Sequence, residues 1–234
     1  MMRWRGLLAA AWLAGLLAAP SVSAATLTGG GISGTASAAL TPSSLPKHGS
    51  APVKLSVNGA ISEVDGLMKA LTLQLDPQLA VSGAGLATCK PSDVTGTPIA
   101  RARRKCKAAF VGSGNMTLRS FGPEGPTGDF PASVLFFNGG SSRLLMYTVV
   151  GEVTATSTGT AHGHALEVAL PVQVGGMLTA FQFHFGKTWY RRGQKVGYLS
   201  GRCATGTLHN RIALRASNGG RASALLSQPC HGRA

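Results

Sequence analysis

Residues 181–185 read Phe181-Gln182-Phe183-His184-Phe185. Three phenylalanines alternating with two polar side chains have a period of two, so an extended strand shows one apolar and one wet face. A helix, with its period of 3.6 residues, cannot gather all three rings on one side. The same alternation recurs upstream. Val53, Leu55 and Val57 alternate with Lys54, Ser56 and Asn58, and Leu71, Leu73 and Leu75 with Thr72, Gln74 and Asp76. Asp65-Gly66 stands between these two segments and suits a tight turn, so they are expected to pair as a hairpin. Further strand-like segments occupy residues 134–137, 144–150, 166–174, 178–185, 197–199 and 207–216. Asn138-Gly139-Gly140 fits the turn between the first two of these. The expected fold is therefore mainly β, an antiparallel sandwich or open barrel with one short helix, stabilised by disulfides.

The helix is placed at residues 98–107. Thr97 offers an N-cap hydroxyl and Pro98 suits the first helical position. On a helical wheel Ile99, Ala102, Cys106 and Ala109 fall within one arc of about 80°. Arg101, Arg103, Arg104, Lys105 and Lys107 fan over the remaining surface, so Cys106 can be buried while the cations stay in water. Basic residues in the last turn also suit the negative end of the helix dipole.

Three boundaries are expected. Residues 1–24 read as a secretory signal peptide: Arg3 and Arg5, an apolar run over residues 6–19, Pro20, and Val22-Ser23-Ala24 at the cleavage site. The run is shorter than the roughly 20 residues a spanning helix needs. Residues 25–50 are rich in Gly, Ser, Thr and Ala and are expected to form a flexible lead-in. Gly29, Gly31 and Gly34 have the spacing of a dinucleotide-binding loop there, but without the strand and helix that such a loop joins. Residues 51–234 then form a single β-rich domain, with a sub-boundary at the Pro/Gly-rich stretch 121–131.

Charge and cysteines narrow the setting. The net charge is +14, and losing Arg3 and Arg5 leaves 20 basic against 8 acidic residues, or +12. Such a balance favours anionic partners: a cell-envelope polymer, a carbohydrate or a lipid surface. Export argues against nucleic acid. Cys89, Cys106, Cys203 and Cys230 are an even set in an exported chain and read as two disulfides, since no close pair suits zinc. Three connectivities are open. The wheel favours Cys89–Cys106 as one bridge, and the local pairing would add about 3–4 kcal/mol per bridge in a chain-entropy account.

Little in the sequence suggests catalysis. There is no G-x-S-x-G elbow, and the eight acids, Glu63, Asp65, Asp76, Asp93, Glu124, Asp129, Glu152 and Glu167, show no spacing that selects a pair. No cofactor is expected. The candidate binding residues are two basic patches: Arg101, Arg103, Arg104 and Lys105 on the helix, and Trp189, Tyr190, Arg191, Arg192 and Lys195 at an expected hairpin tip. Aromatic faces stack on sugars and arginines grip phosphate or carboxylate with two parallel hydrogen bonds. The competing function is a metal-binding or hydrolytic secreted protein using His162, His164 and His184, because three imidazoles with an open position suit zinc or copper. Asn115-Met116-Thr117 is a glycosylation sequon, relevant only in a eukaryotic secretory pathway.

Two runs of residues resemble an uncharacterised group of exported actinobacterial proteins. The first comprises Leu45-Pro46, Ala51-Pro52-Val53-Lys54-Leu55, Asp65-Gly66, Cys89 with Cys106, and Ala109-Phe110-Val111-Gly112-Ser113-Gly114. The second comprises Phe181, Tyr190-Arg191-Arg192-Gly193, Tyr198-Leu199-Ser200, Cys203 and Cys230. The resemblance spans residues 42–230 or so and implies one exported module. It carries no activity and no site residues.

Overall fold

The computed structural model describes residues 23–122, 125–170 and 176–234. The expected signal peptide lies outside the described residues, apart from Ser23 and Ala24, which open the first strand. The chain runs through β1 (Ser23–Gly29), β2 (Ile32–Thr41), β3 (Ser44–Pro46), β4 (Ala51–Val64), β5 (Met68–Gln74) and β6 (Leu79–Val81). Helices α1 (Pro91–Val94) and α2 (Ile99–Lys105) and a 3-10 turn follow. Next come β7 (Phe110–Gly122), β8 (Gly125–Gly140), β9 (Arg143–Val150), β10 (Val153–His162), β11 (Ala165–Ala169) and β12 (Met177–Phe185). β13 (Thr188–Arg191), β14 (Gln194–Gly197), β15 (Leu199–Gly201), β16 (Thr207–Ala216), β17 (Arg221–Pro229) and β18 (His231–Arg233) come last.

Hydrogen bonding runs through β12, β7, β8, β9, β10, β11, β5, β16, β17, β1, β2 and β4, and β4 returns to β12. Every pairing in this ring is antiparallel, so the fold is mainly β and antiparallel, as expected, and it closes. β15 and β6 add on beside the first residues of β4. A round barrel of this many strands would leave a lumen, yet the interior is filled by side chains, so the ring is flattened. Most outward positions on β16 and β17 are polar, including Arg211, Arg215, Arg221 and Ser223, with Leu225 an exposed exception, whereas Leu208, Ile212, Leu214 and Leu226 are buried. Among the described residues, no helix is long and apolar enough to cross a membrane.

The FQFHF strand closes the ring. On one side β12 pairs with β7 and on the other with β4, so its three phenylalanines meet both neighbours. Those neighbours supply glycines where the rings lie. A Cβ at Gly59 would sit 2.3 Å from Phe181 Cε1, one at Gly114 2.7 Å from Phe183 Cδ1, and one at Gly112 3.0 Å from Phe185 Cδ1. The space lets Phe183 and Phe185 cross β7 and reach Phe136 on β8, with ring centroids 5.1 and 4.7 Å away. Such pairs contribute about 0.5–1.5 kcal/mol beyond the area they bury.

Strands β8 and β9 are buried on both faces. Val134, Phe136, Leu144 and Met146 face the main core, while Leu135, Phe137, Leu145 and Tyr147 face outward into a second, smaller core. That smaller core is roofed by Val94, Ala102, Ala109 and the Cys89–Cys106 bridge. The unbroken apolar runs in this part of the sequence reflect the two-sided burial. The other bridge, Cys203–Cys230, joins the main core. The Cα–Cα distances are 5.6 and 6.0 Å, both ordinary for a disulfide, and no free cysteine remains.

Several local expectations are corrected. The stretch 25–50 is no flexible lead-in: β1 and β2 form a hairpin, and Leu27, Ile32, Ala36, Ala38 and Leu40 are buried in the main core. Alanine alternates there as an inward residue, and the ring's packing rewards small side chains that composition alone reads as linker. β4 and β5 do not pair; β4 joins β2, β12 and β15, while β5 joins β11 and β16. The turn after β8 is Ser141-Ser142, both at positive φ (46° and 62°), rather than Asn138-Gly139-Gly140. Asn138 is instead buried, its side-chain NH2 donating to the carbonyls of Leu86 and Ala87. The described residues of the stretch 121–131, Phe121–Gly122 and 125–131, are not a loop boundary but belong to the paired strands β7 and β8. Two short helices replace one. Pro98 rather than Thr97 caps α2, because the Thr97 hydroxyl donates to the Val94 carbonyl at 2.6 Å and closes the preceding turn.

Candidate functional site

α2 buries Ala102 and leaves Arg101, Arg103, Arg104 and Lys105 exposed, the distribution that its sequence periodicity requires. Lying over β8, it forms one wall of a cleft of about 630 Å³. Ile99, Ala100, Phe110 and Leu135 supply the apolar lining, and Arg103, Arg104, Lys107 and Lys187 the basic one. The Arg103 guanidinium lies over the Phe110 ring, 5.0 Å from its centroid, so the cation is held against the apolar floor. Phe110 in turn meets Phe137 edge-on at 6.1 Å.

The charge in the cleft is unbalanced. Lys105 pairs with Asp93 at 3.3 Å, Arg119 with Asp129 at 2.7 Å, and Arg215 with Glu167 at 4.0 Å. Among the described residues, none of the four cleft cations has a carboxylate partner within that reach. Asp93 itself is spent on the cap. It accepts the Lys90 backbone N–H at 3.0 Å, and that bond, with the Lys105 ammonium second, holds its carboxyl below the ordinary carboxylate value. Arg119 likewise holds the Asp129 carboxyl low.

A second recess of about 300 Å³ adjoins the cleft and shares Phe110 and Lys187 with it. Lys54, Ser56, Ser113 and His184 line this recess. A Cβ at Gly186 would stand 2.6 Å from Lys54 Cγ, so the glycine leaves room for the lysine stem to lie across the strand end.

The expected hairpin tip is present as β13 and β14, joined by Arg192 and Gly193 at φ 50° and 76°. This two-residue turn needs positive φ at both positions. Tyr190 is 76% exposed, and Arg191, Arg192 and Lys195 stand in water. Trp189 is only half-exposed; it packs against the main core and its indole N–H is buried without a partner among the described residues. It lines a small recess of about 240 Å³ together with Arg191 and Lys195.

The three histidines do not converge. His162 Nδ1 lies 3.3 Å from the Ser142 hydroxyl, His164 Nδ1 2.5 Å from the Leu79 carbonyl, and His184 Nδ1 2.9 Å from the Ser56 hydroxyl. Gly163, at φ 59°, turns the chain between β10 and β11, so the H-x-H pair spans a hairpin bend rather than one strand face. Among the described residues, the one set of three metal-ligand types within 4.8 Å is Cys89, Asp93 and Cys106, and its two sulfurs are joined to each other. Asp76 is buried, but its oxygens accept the backbone N–H groups of Gln78 and His209 at 2.8 and 2.7 Å, which ties the end of β5 to β16.

Sequence reading found the helical cations but missed Lys187, Phe110 and Leu135. Lys187 follows the FQFHF strand by two residues, and nothing local announces that this strand end lies beside α2. Comparison with family models, with curated proteins and with solved structures finds no match.

Proposed function

We propose that the protein is an exported envelope or extracellular binding module that holds an anionic partner in the cleft between α2 and β8. The observation that carries this reading is the set of Arg103, Arg104, Lys107 and Lys187 around one concavity, with no carboxylate partner among the described residues. Like charges gathered without counter-charges repel one another in the free protein, and an anion relieves that repulsion. Two disulfides suit an oxidising, extracytoplasmic compartment, and the signal-like residues 1–24 agree with export. The exposed tip at Arg191, Arg192 and Lys195 is a secondary contact for the same class of partner.

The test is retention of the disulfide-intact protein on an immobilised acidic polymer and on vesicles carrying anionic lipid. Binding should weaken as salt rises past about 0.1 M, where the screening length is about 10 Å. Neutralising Arg103, Arg104, Lys107 and Lys187 to Gln together should remove most of the retention on both supports, leaving the share of the tip. Undiminished retention of that variant would remove the cleft from the function.

A further inference from the structure

The cleft is more than a patch of charge, because its floor is hydrocarbon. Ile99 and Ala100 on the helix face Phe110 and Leu135 on the strands, and the cations stand around them. A site for a hydrated polyanion has no use for such a floor. Phosphate or carboxylate groups along a polymer keep their water, and apolar surface beneath them gains nothing. A volume of about 630 Å³ instead matches the concave, mostly apolar sites that enclose small molecules. The basic side chains fit this use, since lysine and arginine stems extend an apolar wall while their heads reach water. Arg103, stacked on Phe110, is placed where the apolar floor meets the rim.

We infer that the cleft binds a single-chain amphiphile bearing one phosphate or carboxylate, with its hydrocarbon chain on Ile99, Phe110 and Leu135. This rests on the anion-binding reading above and names the class of its ligand. Arg103, Arg104, Lys107 and Lys187 take the charged end by charge-assisted hydrogen bonds. The adjoining recess, reached past Phe110 and Lys187, offers Lys54, Ser56, Ser113 and His184 to whatever polar group the head carries. A fatty acid and the monomer of a phosphate lipid share this chemistry.

Isothermal titration of the disulfide-intact protein with a graded set of probes tests the inference. The set is inorganic phosphate, butyl phosphate, dodecyl phosphate and lauric acid below their aggregation concentrations, dodecyl maltoside, and polyphosphate. Each methylene that leaves water is worth about fourfold in affinity, so even if only about half of the extra chain is buried, dodecyl phosphate should bind about 100-fold or more tightly than butyl phosphate. Dodecyl maltoside, with the same chain and no charge, should bind at least about tenfold more weakly than dodecyl phosphate. Lauric acid against dodecyl phosphate then separates the carboxylate source from the phosphate one. Ala100→Trp, at an exposed helix position, should narrow the cleft and lower dodecyl phosphate affinity about tenfold while butyl phosphate changes by less than about twofold. Ala100→Phe is the smaller filling variant should the tryptophan lower the thermal midpoint. Tight polyphosphate binding without a chain-length effect would overturn this inference and leave the proposed function standing. Equal affinity for dodecyl maltoside would overturn it as well. Binding of none of the probes would overturn both.

Discussion

Two surfaces of this protein carry similar charge and differ in what lies beneath it. On α2, Arg103 and Arg104 stand over a second hydrophobic core built on the outer face of β8 and β9. At the tip of β13 and β14, Arg191, Arg192 and Lys195 project from a two-residue turn into water. The helix is held by Cys89–Cys106 and by Phe137, Leu145 and Tyr147 below it, whose phenolic O–H donates to the Thr97 carbonyl. Of the tip's candidate residues, Trp189 packs against the main core, while Tyr190 is 76% exposed. Charge makes a surface attractive to anions, but a packed, apolar support is what gives it a shape.

The comparison breaks most sharply at the support. Phe137→Ala empties a fully buried site and should cost about 3–5 kcal/mol, read as a lower urea midpoint. Tyr190→Ala at the tip should stay within about 0.5 kcal/mol of the parent, as exposed positions do. Equal costs would mean that the tip is as deeply supported as the helix.

Removing the cap's bridge comes next. Cys89→Ser with Cys106→Ser should cost about 2–4 kcal/mol by freeing the unfolded chain. Amide exchange should accelerate over residues 90–109 and remain unchanged in β13 and β14. Acceleration in both would show the two surfaces to be one cooperative unit.

The charge variants should affect binding far more than stability. Arg103→Gln with Arg104→Gln should weaken retention on anionic vesicles by about tenfold or more, while Arg191→Ala with Arg192→Ala weakens it by about threefold or less. Both should keep the thermal midpoint, since exposed charges contribute within about 0.5 kcal/mol. A reversed order would make the tip the primary surface.

The smallest effect is electrostatic and belongs to the helical cap. The Asp93 carboxyl is held low by the Lys90 N–H and by Lys105, so its contribution is complete above its unfolded value near pH 4 and is lost as the pH falls through the lower folded value. Amide protection at residues 90–94, taken relative to intrinsic exchange at each pH, should therefore fall on acidification below about pH 4, and Asp93→Asn should remove that dependence. The tip, which has no acid among its residues 188–197, should show no such step.

The alternation of Phe181, Phe183 and Phe185, and of Val53, Leu55 and Val57, by itself determined that the protein is built of half-buried strands. The wheel through Ala102 and Cys106 determined the buried side of α2 and favoured the bridge to Cys89, while the folded structure selected that pairing among three open connectivities. These are local patterns, set by the periods of strand and helix, and one segment is enough to read them. Which strands pair is not legible there: local pattern alone places β4 beside β5 and gives the alanine-rich strand β2 the composition of a linker. Only the closed ring decided those matters, because pairing depends on glycines such as Gly59 and Gly114 meeting rings from residues far along the chain. The cleft was hidden for the same reason. The stretch from Ile99 to Phe110, Leu135 and Lys187 are three separate parts of the sequence, and no spacing records that folding brings them around one cavity.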